Sequence, residues 1–262
     1  AKSKWSRVAG VGIGAGVTAI IQSSSATTVM VVGFVNVGIM SLYQATSVIM
    51  GANIGTTITA HIASLQSINV IGFVTVLTCV GVFMEMLSKN EKVKTVGLMI
   101  AGLGLVFIGL DVMSGAMEIY RENQAIIDFL DRATNPFVLL LVGVGFTALV
   151  QSSSAVTSLI IVMAGDGLII GGAGSNAVLF LVLGSNIGTC ITAILSSIGA
   201  STNAKRASLI HLMFNVFGTV IFTVFLLAWP GFMSATLAKW FPDAGRQIAM
   251  FHTFFNVVCT LI

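Results

Sequence analysis

Gln22-Ser23-Ser24-Ser25 and Gln151-Ser152-Ser153-Ser154 are the same four residues written twice, each time inside an apolar stretch. A run of polar side chains at membrane depth is costly, since each buried hydroxyl or amide without a partner forfeits a few kcal/mol. The copies extend beyond the tetrads. Gln22 and Gln151 are 129 positions apart, and at that offset residues 14–28 agree with 143–157 at ten of fifteen positions. A second repeated stretch follows each tetrad, Gly51-Ala52-Asn53-Ile54-Gly55-Thr56 and Gly184-Ser185-Asn186-Ile187-Gly188-Thr189. There the offset is 133, and residues 51–60 match 184–193 at eight of ten positions. The chain is an internal duplication.

Composition sets the solvent. Hydrophobic residues make up 56% and charged residues 8%, with a mean hydropathy of +1.03. Soluble domains carry about 25% charge, so this chain lacks the means to cover a water-facing surface and is read as an integral membrane protein. The abundance of glycine, 28 residues, suits close helix packing in lipid. The apolar segments have the length of helical spans rather than of alternating barrel strands. The fold expected is therefore an all-α integral membrane protein with inverted structural repeats, two re-entrant helical hairpins and broken transmembrane helices. A cell (inner or plasma) membrane location with several crossings follows.

The net charge of +3 is spread thinly, with no basic stripe for nucleic acid. Cys79, Cys190 and Cys259 lie in apolar runs without metal spacing and read as packing residues. Neither tetrad sits in a G-x-S-x-G elbow and no P-loop is present, which argues against a protease, an ATPase or any other enzyme.

Along the chain, residues 1–95 form the first repeat: hairpin 8–40, broken helix 44–64 and helix 68–88. Residues 96–229 form the second: helix 96–117, hairpin 137–170, broken helix 177–199 and helix 207–229. Residues 246–262 are an additional C-terminal transmembrane helix, and 118–135 an interfacial helix. The helix 96–117 precedes the second hairpin, so the duplication implies an equivalent before Ala1. Three full spans separate the hairpins, which puts them on opposite faces and inverts the repeat. Positive charge places the 89–94 loop inside with Lys2, Lys4, Arg7, Lys205 and Arg206, and the acidic 118–135 segment outside.

Each tetrad offers hydroxyls, an amide and the free N–H groups of a helix start, a combination that favours anions. Interrupted backbone with Thr and Asn oxygens suits a small cation. Asn53 and Asn186 either coordinate a cation or bridge broken backbone. Thr56, Thr57, Thr189 and Thr192 are weaker candidates, because helical threonines bond back to their own backbone. Asp111 is the single acid in mid-span and is a cation or proton candidate. Asp166, beside Gly165 and Gly167, reads as a turn residue. His211 and Asn215, like His252 and Asn256, share a helix face at i, i+4 spacing, and interhelical hydrogen bonding is expected for them and for His61.

The motifs Q-S-S-S-A-T-T with G-A-N-I-G-T-T, and Q-S-S-S-A-V-T-S with G-S-N-I-G-T, resemble the type II sodium–phosphate cotransporter family and its bacterial relatives. The His-x-x-Phe-Asn helices resemble it too. The resemblance implies sodium-coupled symport of inorganic phosphate by alternating access. It carries Gln22, Ser23, Ser24, Ser25, Gln151, Ser152, Ser153 and Ser154 over as phosphate contacts. Ser25, Asn53, Thr56, Ser154, Asn186 and Thr189 become sodium-site residues, with Asp111 kept as an intramembrane candidate. Cys190 stands where Thr57 stands in the first copy, a departure from the family pattern. No cofactor is implied beyond Na⁺ as the coupling ion. The partners implied are phosphate, Na⁺ and the lipid bilayer, and a homodimer is compatible with them. Another oxyanion, sulfate or arsenate, or an anion channel, is the alternative.

Overall fold

A computed structural model describes residues 4–65 and 71–262, with side chains from residue 7 onward. Lys2 and the first three residues of the helix expected at 68–88 lie outside the described residues. Among the described residues the chain is helical, with no strand. It begins with α1 (Lys4–Ile21), α2 (Ser24–Asn36), α3 (Leu42–Gly55), α4 (Thr57–Ser64) and α5 (Ile71–Leu87). Then come α6 (Glu91–Arg121), α7 (Gln124–Arg132), α8 (Pro136–Val150), α9 (Ser153–Gly165) and α10 (Ala177–Gly188). It ends with α11 (Cys190–Ser196), α12 (Thr202–Ala228), a π-helical turn at Met233–Leu237, α13 (Ala238–Trp240) and α14 (Ala244–Leu261).

The helix starts follow capping chemistry. Ser41 and Gln44 form a reciprocal capping box before α3, which satisfies two orphan donors at once. Asn135 caps α8, and Pro136 fills its first position, where a missing N–H costs nothing. Asn123 accepts from the amides of Ala125 and Ile126. That cap divides the polar segment expected as one interfacial helix at 118–135: α6 continues to Arg121, and α7 is a separate nine-residue helix. Helices α7 and α8 meet at 109°.

Among the described residues, three helical stretches are long and apolar enough to cross a membrane: Glu91–Arg121, Ala177–Ser196 and Thr202–Ala228, or four if the bent α7–α8 pair is one span. The interruption expected in the repeated G-x-N-I-G-T stretch is one residue wide. Thr56 (φ −62°, ψ −25°) and Thr189 (φ −64°, ψ −21°) keep right-handed helical angles, and their amides still bond to Ala52 and Ser185. The helix tightens there and does not unwind.

The repeated glycines seat the first helix of each copy on the third. A Cβ on Gly51 would overlap the backbone of Val11, and one on Gly14 the backbone of Val48. In the second copy Gly184 meets Leu140 and Gly143 meets Leu181 in the same way. Only hydrogen at these positions lets α1 lie on α3, and α8 on α10, at backbone contact distance. Helix α12 lies against α2, α3, α10 and α11, while α14 lies against α9, α4 and α3. Thr219 donates to the carbonyl of Leu183 at 3.4 Å, and Thr260 to that of Met50, also at 3.4 Å. Leu183 and Met50 are 133 positions apart, while Thr219 and Thr260 are 41 apart. Helix α14, expected as an additional one, therefore holds towards α3 the place that α12 holds towards α10.

Candidate functional site

Each tetrad is a sharp break between two helices. Gln22 and Gln151 end α1 and α8 with φ of 60°, and they are the only non-glycine residues at positive φ among those described. A left-handed residue with a Cβ costs roughly 1–2 kcal/mol, and such strain gathers at functional sites. The next residue, Ser23 or Ser152, is extended and caps the following helix. Ser23 Oγ accepts from the Ala26 amide at 3.1 Å, and Ser152 Oγ from the Ala155 amide at 3.2 Å. In the first copy Thr18 donates across the break to Thr27 at 3.0 Å, nine residues on. A straight helix would separate those residues by about 13 Å, so the chain folds back at the tip. The free N–H groups at the starts of α2 and α9 thus face the break, where an anion is favoured.

The two tips meet on one side. Ser25 Oγ donates to the Gln151 carbonyl at 3.2 Å and lies 3.3 Å from Thr189 Oγ1. The Ala155 amide is taken by Ser152, which leaves the Gln151 carbonyl free for Ser25. Three neutral oxygens are thereby gathered at one point, a donor set of the kind that carries Na⁺ in transporters. The matched contact, Ser154 with Gln22 and Thr56, is not made. Instead Gln22, Thr59, Ser154 and Ser158 line a cavity of about 590 Å³ bounded by Ile20, Ile62 and α6. The tetrads are closed on one side and parted on the other. Neither ion pair among the described residues, Lys94–Glu91 or Arg121–Asp166, reaches them. No charged side chain among the described residues lines the cavity, so an anion in it meets neutral donors.

The remaining candidates divide. Thr56 bonds back to Ala52 at 3.0 Å and Thr57 to Ile54 at 2.8 Å. Asn186 donates to Val182 at 2.8 Å, and its oxygen lies 3.2 Å from His252 Nε2. Asn53 is equally buried, yet its amide nitrogen has no partner. His61 reaches Thr253 at 2.8 Å, and both ring nitrogens of buried His211 are unpaired, against the interhelical bond expected of it. Cys190 Sγ accepts from Asn215 Nδ2 at 3.4 Å. Cys190 and Cys259 are buried and Cys79 is exposed. Asp111 is exposed on α6 and makes no hydrogen bond to either tetrad among the described residues. The structure does not bring it into the site.

Two polar residues have more specific roles than the sequence reading gave them. Thr59 donates to the side-chain oxygen of Gln22 at 2.7 Å; its presence in both copies, as Thr59 and Thr192, was the available signal. Asp166 accepts from Ser114 at 2.7 Å and pairs with Arg121 at 3.8 Å, which ties the end of α9 to α6. Only tertiary packing reveals that link.

The family model for Na+/Pi-cotransporter matches residues 1–115 and 122–238. The chain belongs to that family. It is 31% identical over 248 residues to an uncharacterized protein, YqeW, of Bacillus subtilis (strain 168), covering 94% of this chain and 76% of that one. It is 28% identical over 250 residues to YjbB of Escherichia coli (strain K12), named as a candidate inorganic phosphate export protein, covering 95% of this chain. The chain spans 44% of the length of YjbB. Sodium-dependent phosphate transport protein 2A of Mus musculus is 36% identical over 139 residues, 50% of this chain and 21% of its own length. No solved structure matches the chain. Family membership makes this a phosphate-transporter scaffold, and it agrees with the resemblance carried by the tetrads.

Proposed function

We propose that this protein is a sodium-coupled symporter of inorganic phosphate that works by alternating access between its two tetrads. The observation that carries the reading is the one-sided meeting of the tips. Ser25 touches Gln151 and Thr189, while Gln22 and Ser154 face a shared cavity. Equivalent residues in contact on one side and apart on the other are the pattern expected of an inverted repeat caught facing one way. Phosphate binds between the starts of α2 and α9, where helix N–H groups and serine hydroxyls supply neutral donors. Na⁺ takes oxygens of the kind gathered at Ser25, Thr189 and the Gln151 carbonyl. Its charge offsets that of the anion at membrane depth, which is the physical reason for coupling the two. The two re-entrant hairpins then rock against each other around this site.

The name borne by YjbB favours a second reading, phosphate export. Radiolabelled phosphate flux in proteoliposomes separates the two. Uphill accumulation that follows an imposed Na⁺ gradient, and ends when the gradient is collapsed, supports the symporter. Efflux that proceeds equally without Na⁺ supports export. Downhill flux in both directions, indifferent to Na⁺, supports an anion channel. Competition by sulfate and arsenate in the same assay reads the choice of oxyanion.

A further inference from the structure

Three residues with a buried, unpaired polar group, Thr192, His211 and Asn53, sit at positions whose repeat-equivalents are bonded. Thr59 holds Gln22 at 2.7 Å, whereas its equivalent, Thr192, has an unpaired hydroxyl and Gln151 stands exposed. His252 Nε2 lies 3.2 Å from Asn186 Oδ1, and the Asn186 amide nitrogen donates to the Val182 carbonyl, whereas both ring nitrogens of His211 and the amide nitrogen of Asn53 are unpaired. Each copy has one bond made and the other unmade, and the made ones are opposite in the two copies.

Asn53 and His211 are placed to meet. Ala204 and Ala207 of α12 share a buried cluster with Ala45, Val48 and Ile49 of α3, and Met50 lines one cavity with Ile210, Met213 and Phe214. The contacts advance together along both helices. Asn53 is one turn beyond Ile49, as His211 is one turn beyond Ala207. The matched threonine bonds make α14 to α3 what α12 is to α10, and under that equivalence the His252–Asn186 pair of α14 and α10 maps onto His211 of α12 and Asn53 of α3.

A buried donor or acceptor left unmade costs about 1–3 kcal/mol, and a second conformation that pairs these groups would recover that cost. We propose that His211 and His252 are positioning residues for Asn53 and Asn186 that engage alternately, and that Gln22–Thr59 exchanges with Gln151–Thr192 in the same step. In the conformation seen, Gln22–Thr59 and Asn186–His252 are closed. In the opposite-facing conformation Gln151–Thr192 and Asn53–His211 close instead. The exchange keeps the number of buried hydrogen bonds nearly constant, so the two conformations stay close in free energy, as alternation requires. This inference rests on the alternating-access reading above.

The test uses the full chain made cysteine-free (Cys79→Ser, Cys190→Thr, Cys259→Ala), with Asn53→Cys and His211→Cys added. The rate of bridging by a short bifunctional thiol reagent is read before and after adding His252→Ala. Removing the Asn186–His252 bond destabilises only the conformation seen. Bridging of 53 to 211 should then speed up by about two- to ten-fold, the population shift for one net hydrogen bond. Thr59→Val, which removes the other closed bond, should act in the same direction and serves where His252→Ala does not fold. A bridging rate unmoved or slowed by both substitutions, or a 53–211 pair that never bridges, overturns the exchange. Phosphate uptake by the cysteine-free parent is measured alongside. Uptake with unmoved bridging sinks this inference alone, and absent uptake sinks the transport reading, whatever the bridging shows.

Discussion

The first and second copies place identical residues in different company. Thr18 and Thr147 are both fully buried, yet Thr18 bonds to Thr27 while Thr147 is unpaired because Val156 stands where Thr27 would be. Ser25 touches the opposite tip, and Ser154 faces a cavity. Asn186 has a histidine, and Asn53 has none. Backbone features behave otherwise: the left-handed glutamines, the serine caps and the glycine contacts are the same in both copies. Duplication has been kept where it sets helix geometry and broken in side-chain bonding. The alternating-access reading proposed above accounts for that division, because a scaffold that faces either way is symmetric while each of its conformations is not.

The symmetric part can be broken hardest. Gly51→Val and Gly184→Val each drive a side chain into the backbone of the neighbouring helix. Overpacking in a tight core costs about 1–3 kcal/mol and occasionally more, and contact with backbone belongs at the upper end. We expect both variants to lose most folded yield by size-exclusion chromatography. Gly16→Ala and Gly145→Ala, where a Cβ would meet nothing, should express normally. Equal losses at all four positions would mean that glycine content, and not close helix approach, is what matters.

The shared site comes next. Ser25→Ala and Ser154→Ala each remove a neutral hydroxyl from the space between the tips. If one phosphate touches both, each loses a charge-assisted bond of about 1.5–3 kcal/mol, or roughly ten-fold or more in affinity. Calorimetry at saturating Na⁺ on both singles and the double should also show non-additivity, since the residues share a ligand. Unchanged dissociation constants in folded singles would separate the two tips functionally.

The duplication, the tetrads and the membrane setting were legible in the sequence because polar runs in apolar surroundings, and glycines repeated at fixed offsets, each have one physical reading. The place of α14 was half-legible: His, Phe, Asn, Val and Thr recur at matching positions in 211–219 and 252–260, though the order of elements pointed elsewhere. The asymmetry was not legible. Repetition says that Asn53 and Asn186 are equivalent, but only packing says which of them holds a histidine. The surroundings of Asp111 were not legible either: an acid in an apolar run reads as a functional candidate, and only the fold shows that α6 leaves Asp111 on an exposed position.

Thr27 gives a third, smaller way to test the comparison. Its hydroxyl accepts from Thr18 and donates to the Ser23 carbonyl at 3.0 Å. Thr27→Val reproduces the second copy's arrangement in the first and leaves Thr18 buried without a partner. That should lower stability by about 1–3 kcal/mol, read as a lower thermal midpoint in detergent.

The reverse exchange has the smallest expected effect and the sharpest sign. Val156 is buried one turn after Ser152, and its amide bonds to the Ser152 carbonyl at 3.2 Å, as the Thr27 amide bonds to Ser23 at 3.1 Å. The local backbone is therefore the same, and threonine is close to valine in shape. In Val156→Thr the new hydroxyl can donate to the Ser152 carbonyl and accept from Thr147, whose oxygen is otherwise stranded. A new polar group in a core ordinarily destabilises. Here it completes a pair already half present, so the net effect should be a gain of about 0.5–1.5 kcal/mol. The measurement is the thermal midpoint of Val156→Thr beside Val156→Ser, which supplies the hydroxyl without the methyl. A rise for threonine with a smaller rise or a fall for serine supports the transplanted bond. A fall for threonine in a folded protein would mean that the second tip is not shaped like the first at this depth, and the likeness of the two breaks would then end at the backbone.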